Sequence, residues 1–287
     1  MKVQFLGTSA SPSMPLPFCQ CKVCVDARRI RGKNLRKRSS ALINSDMIID
    51  IGPDIMSSSY AHNIDITNVS TCLQTHCHED HFDPEIIISR HIDYGSVIFE
   101  DLHIVGSKQT LEMMDVIIGR RCGYGSIFNN KVQSDLRIKL MPIIPYKQYT
   151  IGNYVITGFP ANHGSRQEGC LIYSLEYNDK CLFYATDTSV IFDEVWEHLN
   201  TAGMKFDLVI LDHTYGTGFE SKPGDHLAAN EFINHVQRII NNNLLKNNGQ
   251  IFATHLSHEG ILEHSELVKY ASKHNYNIAY DGLILNL

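Results

Sequence analysis

The stretch Thr75-His76-Cys77-His78-Glu79-Asp80-His81 constrains this chain more than any other. His76, His78, Asp80 and His81 put four metal-ligating side chains within six residues. Ahead of them, Val69-Ser70-Thr71-Cys72-Leu73-Gln74 reads as a short buried strand of β-branched and apolar residues. Behind them, Phe82-Asp83-Pro84 favours a turn or a new helix start. The cluster therefore belongs on a tight loop at the carboxyl end of a strand. Such a loop aims alternate side chains into one cavity. His76 and His78 can then share one cation while Asp80 and His81 turn towards a second. Imidazole with carboxylate suits zinc, manganese or iron, and geometry more than raw affinity decides among them.

This pattern resembles the H-x-H-x-D-H motif of the metallo-β-lactamase superfamily. In that superfamily a His, an Asp and a His follow in that order, each at a strand end. Here Ala161-Asn162-His163-Gly164 follows a strand-like run, Ala185-Thr186-Asp187-Thr188 ends a second, and Ala253-Thr254-His255 ends a third. The resemblance implies a dinuclear site with ions about 3.5–4 Å apart. One metal would take His76, His78 and His163, the other Asp80, His81 and His255, with Asp187 bridging them. In the same superfamily an Asp at the position of Asp50 supports the metal loop; a simple strand-end cap is the alternative.

A second cluster narrows the family. Cys19, Cys21 and Cys24 form C-x-C-x-x-C, a spacing that suits a tetrahedral zinc site still lacking its fourth ligand. Together with Thr254-His255-Leu256-Ser257-His258 it looks like the phosphodiesterase branch that includes the phosphoribosyl cyclic phosphate phosphodiesterases of the carbon–phosphorus lyase pathway. That resemblance implies a structural zinc on Cys19, Cys21, Cys24 and His258. It implies a pair of catalytic zinc or manganese ions and a small, including cyclic, phosphodiester as substrate. It also implies that His226 assists the leaving group, so that His226 and Asp80 rank as the catalytic residues. The resemblance covers nearly the whole chain and is weakest over residues 82–149.

Strands and helices alternate in two similar halves with no Pro/Ser linker between them. This fits an α/β fold, a four-layer αββα sandwich, as a single domain over residues 1–287 with the site at the shared sheet edge. Helices are expected over 25–31, 54–61, 83–92, 107–118, 192–199 and from 260 to 273. A further long helix is expected over 225–241 with Asp225 as its N-cap. Residues 276–285 are expected to complete the second sheet. Residues 119–125 read as a Gly-rich connector without a phosphate-loop pattern. Asp212-His213 also ends a strand, and a supporting role is expected for His213.

The net charge of −6 suggests no general nucleic-acid surface. The local run Arg28, Arg29, Arg31, Lys33, Arg36, Lys37 and Arg38 reads as a solvated face, with a phosphate- or RNA-facing patch as the alternative. Eight Cys without a secretion-like start argue for reduced thiols in the cytoplasm. No apolar run is long enough for a membrane span. The expected partner is a small-molecule phosphodiester, with no membrane and no nucleic acid, and a homodimer as the assembly considered. Two other functions compete: transfer-RNA 3′-end processing of the ribonuclease Z kind, and a non-catalytic cofactor-biosynthesis or binding relative on the same fold. The intact set from His76 to His255 argues against the second. The early Cys cluster and the lack of an extended RNA-binding arm argue against the first.

Overall fold

Along the central strands, odd and even positions face two different apolar layers, as the period of two demands. In β1 (Lys2–Gly7), β2 (Ser40–Ile43) and β3 (Met47–Ile49), the side chains of Val3, Phe5, Ala41, Ile43, Met47 and Ile49 enter one buried cluster. Leu6, Leu42 and Ile48 enter another on the opposite face. Strands buried on both faces read as continuous apolar runs, and these do. The computed structural model describes the chain apart from Pro12, Cys122, Ile261 and the side chains of Arg120 and Arg121. The expected Gly-rich connector at Cys122 and the expected helix stretch at Ile261 therefore lie partly outside the described residues.

The first sheet is completed by β4 (Thr71–Leu73), β5 (Leu102–Gly106) and β6 (Ile138–Pro142). The second contains β7 (Gln148–Ile151), β8 (Tyr154–Pro160), β9 (Leu171–Tyr177), β10 (Lys180–Ala185), β11 (Phe206–Asp212), β12 (Leu245–Thr254) and β13 (Asn277–Ile278). The last strand, β14 (Ile284–Asn286), returns to the first sheet. The two seven-stranded orders are β14-β1-β2-β3-β4-β5-β6 and β13-β12-β11-β10-β9-β8-β7. Strands β3 to β6 are parallel, as are β10 to β13. The inner layer is closed from the second sheet by Tyr173, Leu175, Leu182, Tyr184, Leu208, Ile210 and Phe252.

Helices α1 (Lys22–Ile30), α2 (Ile55–His62), α3 (Lys108–Val116), α4 (Asn130–Leu136), α5 (Asp193–Thr201), α6 (Ala229–Asn241) and α7 (His264–Ala271) cover the outer faces. Ile55, Leu111, Met114 and Leu136 pack α2 to α4 on the first sheet. Val195, Trp196, Leu199, Phe232, Val236, Ile239 and Leu267 pack α5 to α7 on the second. The result is the four-layer αββα sandwich. Among the described residues no helix is long and apolar enough to cross a membrane.

Four local expectations are corrected. Residues 84–90 form a 3₁₀ segment instead of an α-helix. The helix expected from Asp225 begins at Ala229, because the Asp225 carboxylate accepts from Tyr215 Oη at 2.8 Å and caps nothing. Helix α1 starts three residues early, at Lys22, where Cys21 Sγ accepts from Cys24 N. Residues near the C-terminus split between the sheets, since β14 pairs antiparallel with β1.

The strand ends that matter lie on one edge. There the turn after β3 packs against the loop that carries His76 to His81 so closely that a Cβ at Gly52 would sit 2.5 Å from the Asp80 carbonyl oxygen. Overpacking of a tight contact typically costs about 1–3 kcal/mol. Gly52→Ala should therefore lower stability by about that amount and disturb the loop carrying Asp80 and His81, whereas unchanged denaturant unfolding would show that the two loops can part without cost.

Candidate metal centre

Strand β4 ends at Leu73, and the loop beyond it is fixed by buried polar groups before its histidines reach the cavity. Asp50 lies just after β3 with φ +64°, fully buried. Its Oδ1 accepts from Thr75 N at 2.8 Å and from Gln74 Nε2 at 2.9 Å, and its Oδ2 from His81 Nδ1 at 2.7 Å. Gln74 Nε2 also donates to the carbonyls of His76 and His81, at 3.1 and 2.8 Å. Tyr173 Oη on β9 donates to the Gln74 carbonyl at 2.6 Å. Asp50 thus holds the metal loop directly. Two more strand ends turn sharply at site residues: Asp187 after β10 has φ +51° and His255 after β12 has φ +58°. Non-glycine residues seldom adopt that conformation, and it concentrates where function fixes the backbone.

The histidines converge with defined tautomers. Thr75 Oγ1 donates its proton to Asp50 and so accepts from His76 Nδ1 at 2.9 Å, leaving His76 Nε2 without a proton. The Asp225 carbonyl accepts from His163 Nδ1 at 3.1 Å, which leaves His163 Nε2 bare. Glu168 Oε2 accepts from His78 Nε2 at 3.2 Å, which leaves His78 Nδ1 bare. These three lone pairs point at one another: His78 Nδ1 and His163 Nε2 are 3.0 Å apart, and all three ligand atoms lie within 4.8 Å of one another. Two facing lone pairs repel unless a cation lies between them. His76 Nε2 is also buried with no hydrogen-bond partner among the described residues. The donor set therefore fits a bound metal ion.

A second group abuts the first. His255 Nδ1 donates to Thr214 Oγ1 at 2.8 Å, and Thr214 passes its own proton to the His255 carbonyl. The Nε2 atoms of His81 and His255 lie 3.1 Å apart, and Asp187 Oδ2 is 2.9 Å from the first and 3.2 Å from the second. Asp80 Oδ2 is 3.3 and 3.4 Å from the same two nitrogens. The other carboxylate oxygen, Asp187 Oδ1, faces the first group, 3.9 Å from His76 Nε2 and 3.7 Å from His163 Nε2. All seven expected ligands thus come together, with Asp187 between the two sets.

Burial holds His76 well below the ordinary imidazole range, with His81 adding to the effect, and it also lowers His163. Burial opposes charge on His81 and His255 too. There the carboxylates prevail: Asp187, Asp80 and Asp50 hold His81 well above its usual range, and Asp187 with Asp212 and Asp80 brings His255 to about 10. Protons or a metal cation can satisfy this second group.

His226 sits beside the cluster on the loop before α6. Its Nδ1 donates to Asp212 Oδ2 at 2.9 Å, and its ring stacks on His255 with centroids 5.1 Å apart. Burial disfavours its charged form, but Asp212 outweighs burial and raises it. Asp212, at the end of β11, also accepts from the backbone N–H of Asp187 and Thr214, each at 3.0 Å. Sequence reasoning left Asp212 without a role; its place at a strand end beside the other ligand-bearing ends was the available signal. His213 points the opposite way, as alternation along the strand requires. Its Nε2 meets Tyr276 Oη at 3.1 Å and its ring packs on Phe232, so it supports the sheet from its other face. Glu168, Gln74 and Thr214 were not anticipated, because nothing in their local pattern marks them.

The Cys cluster also assembles. Cys19 Sγ and Cys21 Sγ lie 3.6 and 3.5 Å from His258 Nδ1, and the ligand atoms of Cys19, Cys21, Cys24 and His258 lie within 4.8 Å of one another. These thiols are free. The basic run is largely consumed in structural contacts. Arg28 donates to the carbonyls of Cys19 and Leu16, Arg29 pairs with Asp26, Lys33 lies over the Tyr280 ring, and Arg38 pairs with Asp54. Arg36 is buried against Thr8, the Ala279 carbonyl and His264.

The model of the β-lactamase superfamily domain matches residues 46–245. No protein of curated function matches the chain in sequence. Among solved structures, a diphosphatase of the PhnP family superposes with a TM-score of 0.71 at 20% identity, covering 99% of this chain and 96% of that one. Zinc-bound PqqB from Methylobacterium extorquens gives 0.72 at 14% identity with both chains fully covered. The short form of human tRNase Z gives 0.64 at 13%, covering 100% of this chain and 99% of that one. At these identities the likeness concerns the fold.

A metal ion that enters the Asp187 group must displace the protons that its carboxylates favour on His81 and His255. Metal uptake at neutral pH should therefore release protons into weakly buffered solution, and apparent affinity should fall steadily as the pH is lowered. Proton-silent binding with a pH-independent affinity would contradict the arrangement.

Proposed function

The chain belongs to the β-lactamase superfamily, and from that premise we propose that it is a metal-dependent phosphodiesterase acting as a single domain on a small phosphodiester, cyclic diesters included. His76, His78 and His163 would hold one divalent ion and Asp80, His81 and His255 the other, with Asp187 placed between the two sets. Zinc and manganese both suit this donor set. When bound, such a pair lowers the pKa of water and neutralises charge on phosphate oxygens. The observation that carries the reading is the convergence of inward-facing imidazole nitrogens on one shared carboxylate, with His226 on the wall of the same pocket.

His226 is the group for the leaving oxygen. An alcohol is a weak acid, so its departure as an alkoxide is the difficult part of diester hydrolysis. Asp212 accepts from Nδ1 and favours the imidazolium, so Nε2 has a proton to donate. Asp212 acts through His226 by keeping that ring oriented and charged.

The pocket, about 360 Å³, is lined by the carboxylates Glu79, Asp80, Asp187 and Glu259 and, among the described residues, by no lysine or arginine. Negative charge on a substrate can then be met only by metal ions and histidine. That suits a small diester with one charge and disfavours a transfer RNA, whose many phosphates call for a cationic track. A complete ligand set with an oriented His226 beside it also favours catalysis over a binding-only relative. Cys19, Cys21, Cys24 and His258 would hold a separate, structural zinc, their four donors being the set that a closed site uses. Thiols kept free for zinc fit a reducing compartment such as the cytoplasm.

Metal-loaded protein should turn over cyclic phosphates or linear phosphodiesters in preference to thioesters and β-lactams, and a preference for either of the latter would sink the reading. His226→Ala should lower turnover of alkyl phosphodiesters by about 10²–10⁴-fold, the usual range for general acid–base catalysis, with both metals still bound. The loss should shrink for a phenolic leaving group, which needs little protonation; equal losses on the two substrates would remove His226 from the acid role. Cys21→Ser should reduce zinc content and thermal stability more than it alters turnover by the protein that remains folded, and an unchanged zinc content would discard the structural site.

A further inference from the structure

We propose that Glu168 is a positioning residue for His78, setting the tautomer and rotation of that imidazole so that Nδ1 faces the cation. This rests on the metal-site reading above and adds a residue to it.

The five inward-facing imidazoles are not equally secured. His76, His81, His163 and His255 are buried, and their outer nitrogens meet Thr75, Asp50, the Asp225 carbonyl and Thr214. The His78 side chain is 38% exposed, so packing alone does not hold it. Its outer nitrogen meets Glu168 Oε2 at 3.2 Å. A carboxylate only accepts, so Nε2 must carry the proton and Nδ1 keeps its lone pair. That lone pair is the one facing His163 Nε2 at 3.0 Å.

The carboxylate is itself built into place. Its other oxygen, Oε1, accepts from Ser165 N and Ser165 Oγ, each at 2.9 Å. Gly164, at φ +56°, leaves the space: a Cβ there would lie 2.4 Å from Oε2. The loop carrying Glu168 also carries His163, which belongs to the same ligand group as His78. One loop thus supplies a ligand and orients another from a different strand end. Carboxylate partners of ligating histidines typically change metal affinity by about 10–100-fold when removed.

The test is a titration of metal-stripped full-length protein with manganese(II), which thiolates bind poorly, followed through the EPR signal of the free ion. Wild type should take up two equivalents. Glu168→Ala should leave one equivalent unchanged and weaken the other about 10–100-fold. Glu168→Gln offers one amide oxygen for the two places that the carboxylate serves, Ser165 and His78 Nε2–H, and should recover only part of that loss. Ser165→Ala leaves the Ser165 N–H on Oε1 and the carboxylate on His78, and should weaken that equivalent less than Glu168→Ala does. Wild-type affinity for both equivalents in Glu168→Ala would overturn the proposal, and so would an equal loss in Ser165→Ala, which would mark Glu168 as a loop former alone. A wild-type protein that takes up fewer than two equivalents would overturn the dinuclear reading and this proposal with it.

Discussion

The buried carboxylate of Asp50 is the contact on which the site depends. An ionised carboxylate is costly to remove from water unless donors replace its hydration. Here Thr75 N, Thr75 Oγ1, Gln74 Nε2 and His81 Nδ1 do so. Two of those donors also fix a ligand's tautomer. Thr75 Oγ1, having given its proton to Asp50, can only accept from His76, and His81 Nδ1, having given its own, leaves Nε2 for the cavity. One buried charge at the end of β3 therefore sets the tautomers of two ligands on the loop after β4. Removing it would leave several buried donors unpaired at once, a loss no neighbouring side chain can make good.

Much of this was legible in the sequence because metal ligands are chemically conspicuous and strand ends are marked by apolar runs. His76, His78, Asp80 and His81 lie on the loop that leaves β4 at Leu73, and His163, Asp187 and His255 each follow a run that forms a strand. What could not be read was set by contacts distant in sequence. Asp225 looks like a helix cap, yet its side chain is engaged by Tyr215 and its carbonyl by His163. β14 joins the first sheet through pairing with β1 across almost the full chain length. Glu168 lies 90 residues from the histidine it touches. No local pattern carries such information.

Among the described residues, carboxylates and histidines line the cavity and lysine and arginine do not. Four carboxylates line the pocket, while the early basic run is spent elsewhere. Arg36 is the clearest case. Its guanidinium is buried where it donates to Thr8 Oγ1 and the Ala279 carbonyl and meets His264 Nδ1 at 2.9 Å. Asp281 completes the junction by accepting from Thr8 Oγ1 and Lys37 N, each at 2.7 Å. A residue that reads as part of a solvated face is instead buried and ties the N-terminal loop to the C-terminal one. The same loop then leads into the pocket wall at Ala10 and Ser11.

That junction also explains why two ligand clusters occur in one short segment. His255 belongs to the Asp187 group and His258 to the Cys group, only three residues apart. Between them, Leu256 N donates to the Thr8 carbonyl at 2.9 Å, and the Leu256 carbonyl accepts from Ala10 N at 3.1 Å and from Ser9 Oγ at 2.9 Å. The segment is thus pinned to the N-terminal loop at its centre and gripped by a ligand group at each end. His255 adopts a left-handed backbone conformation that an isolated loop would relax. Cys19, Cys21 and Cys24 lie further along that same N-terminal loop and the start of α1. The two groups of candidate ligands are thus joined through one short stretch of chain that is itself hydrogen-bonded to the N-terminal loop.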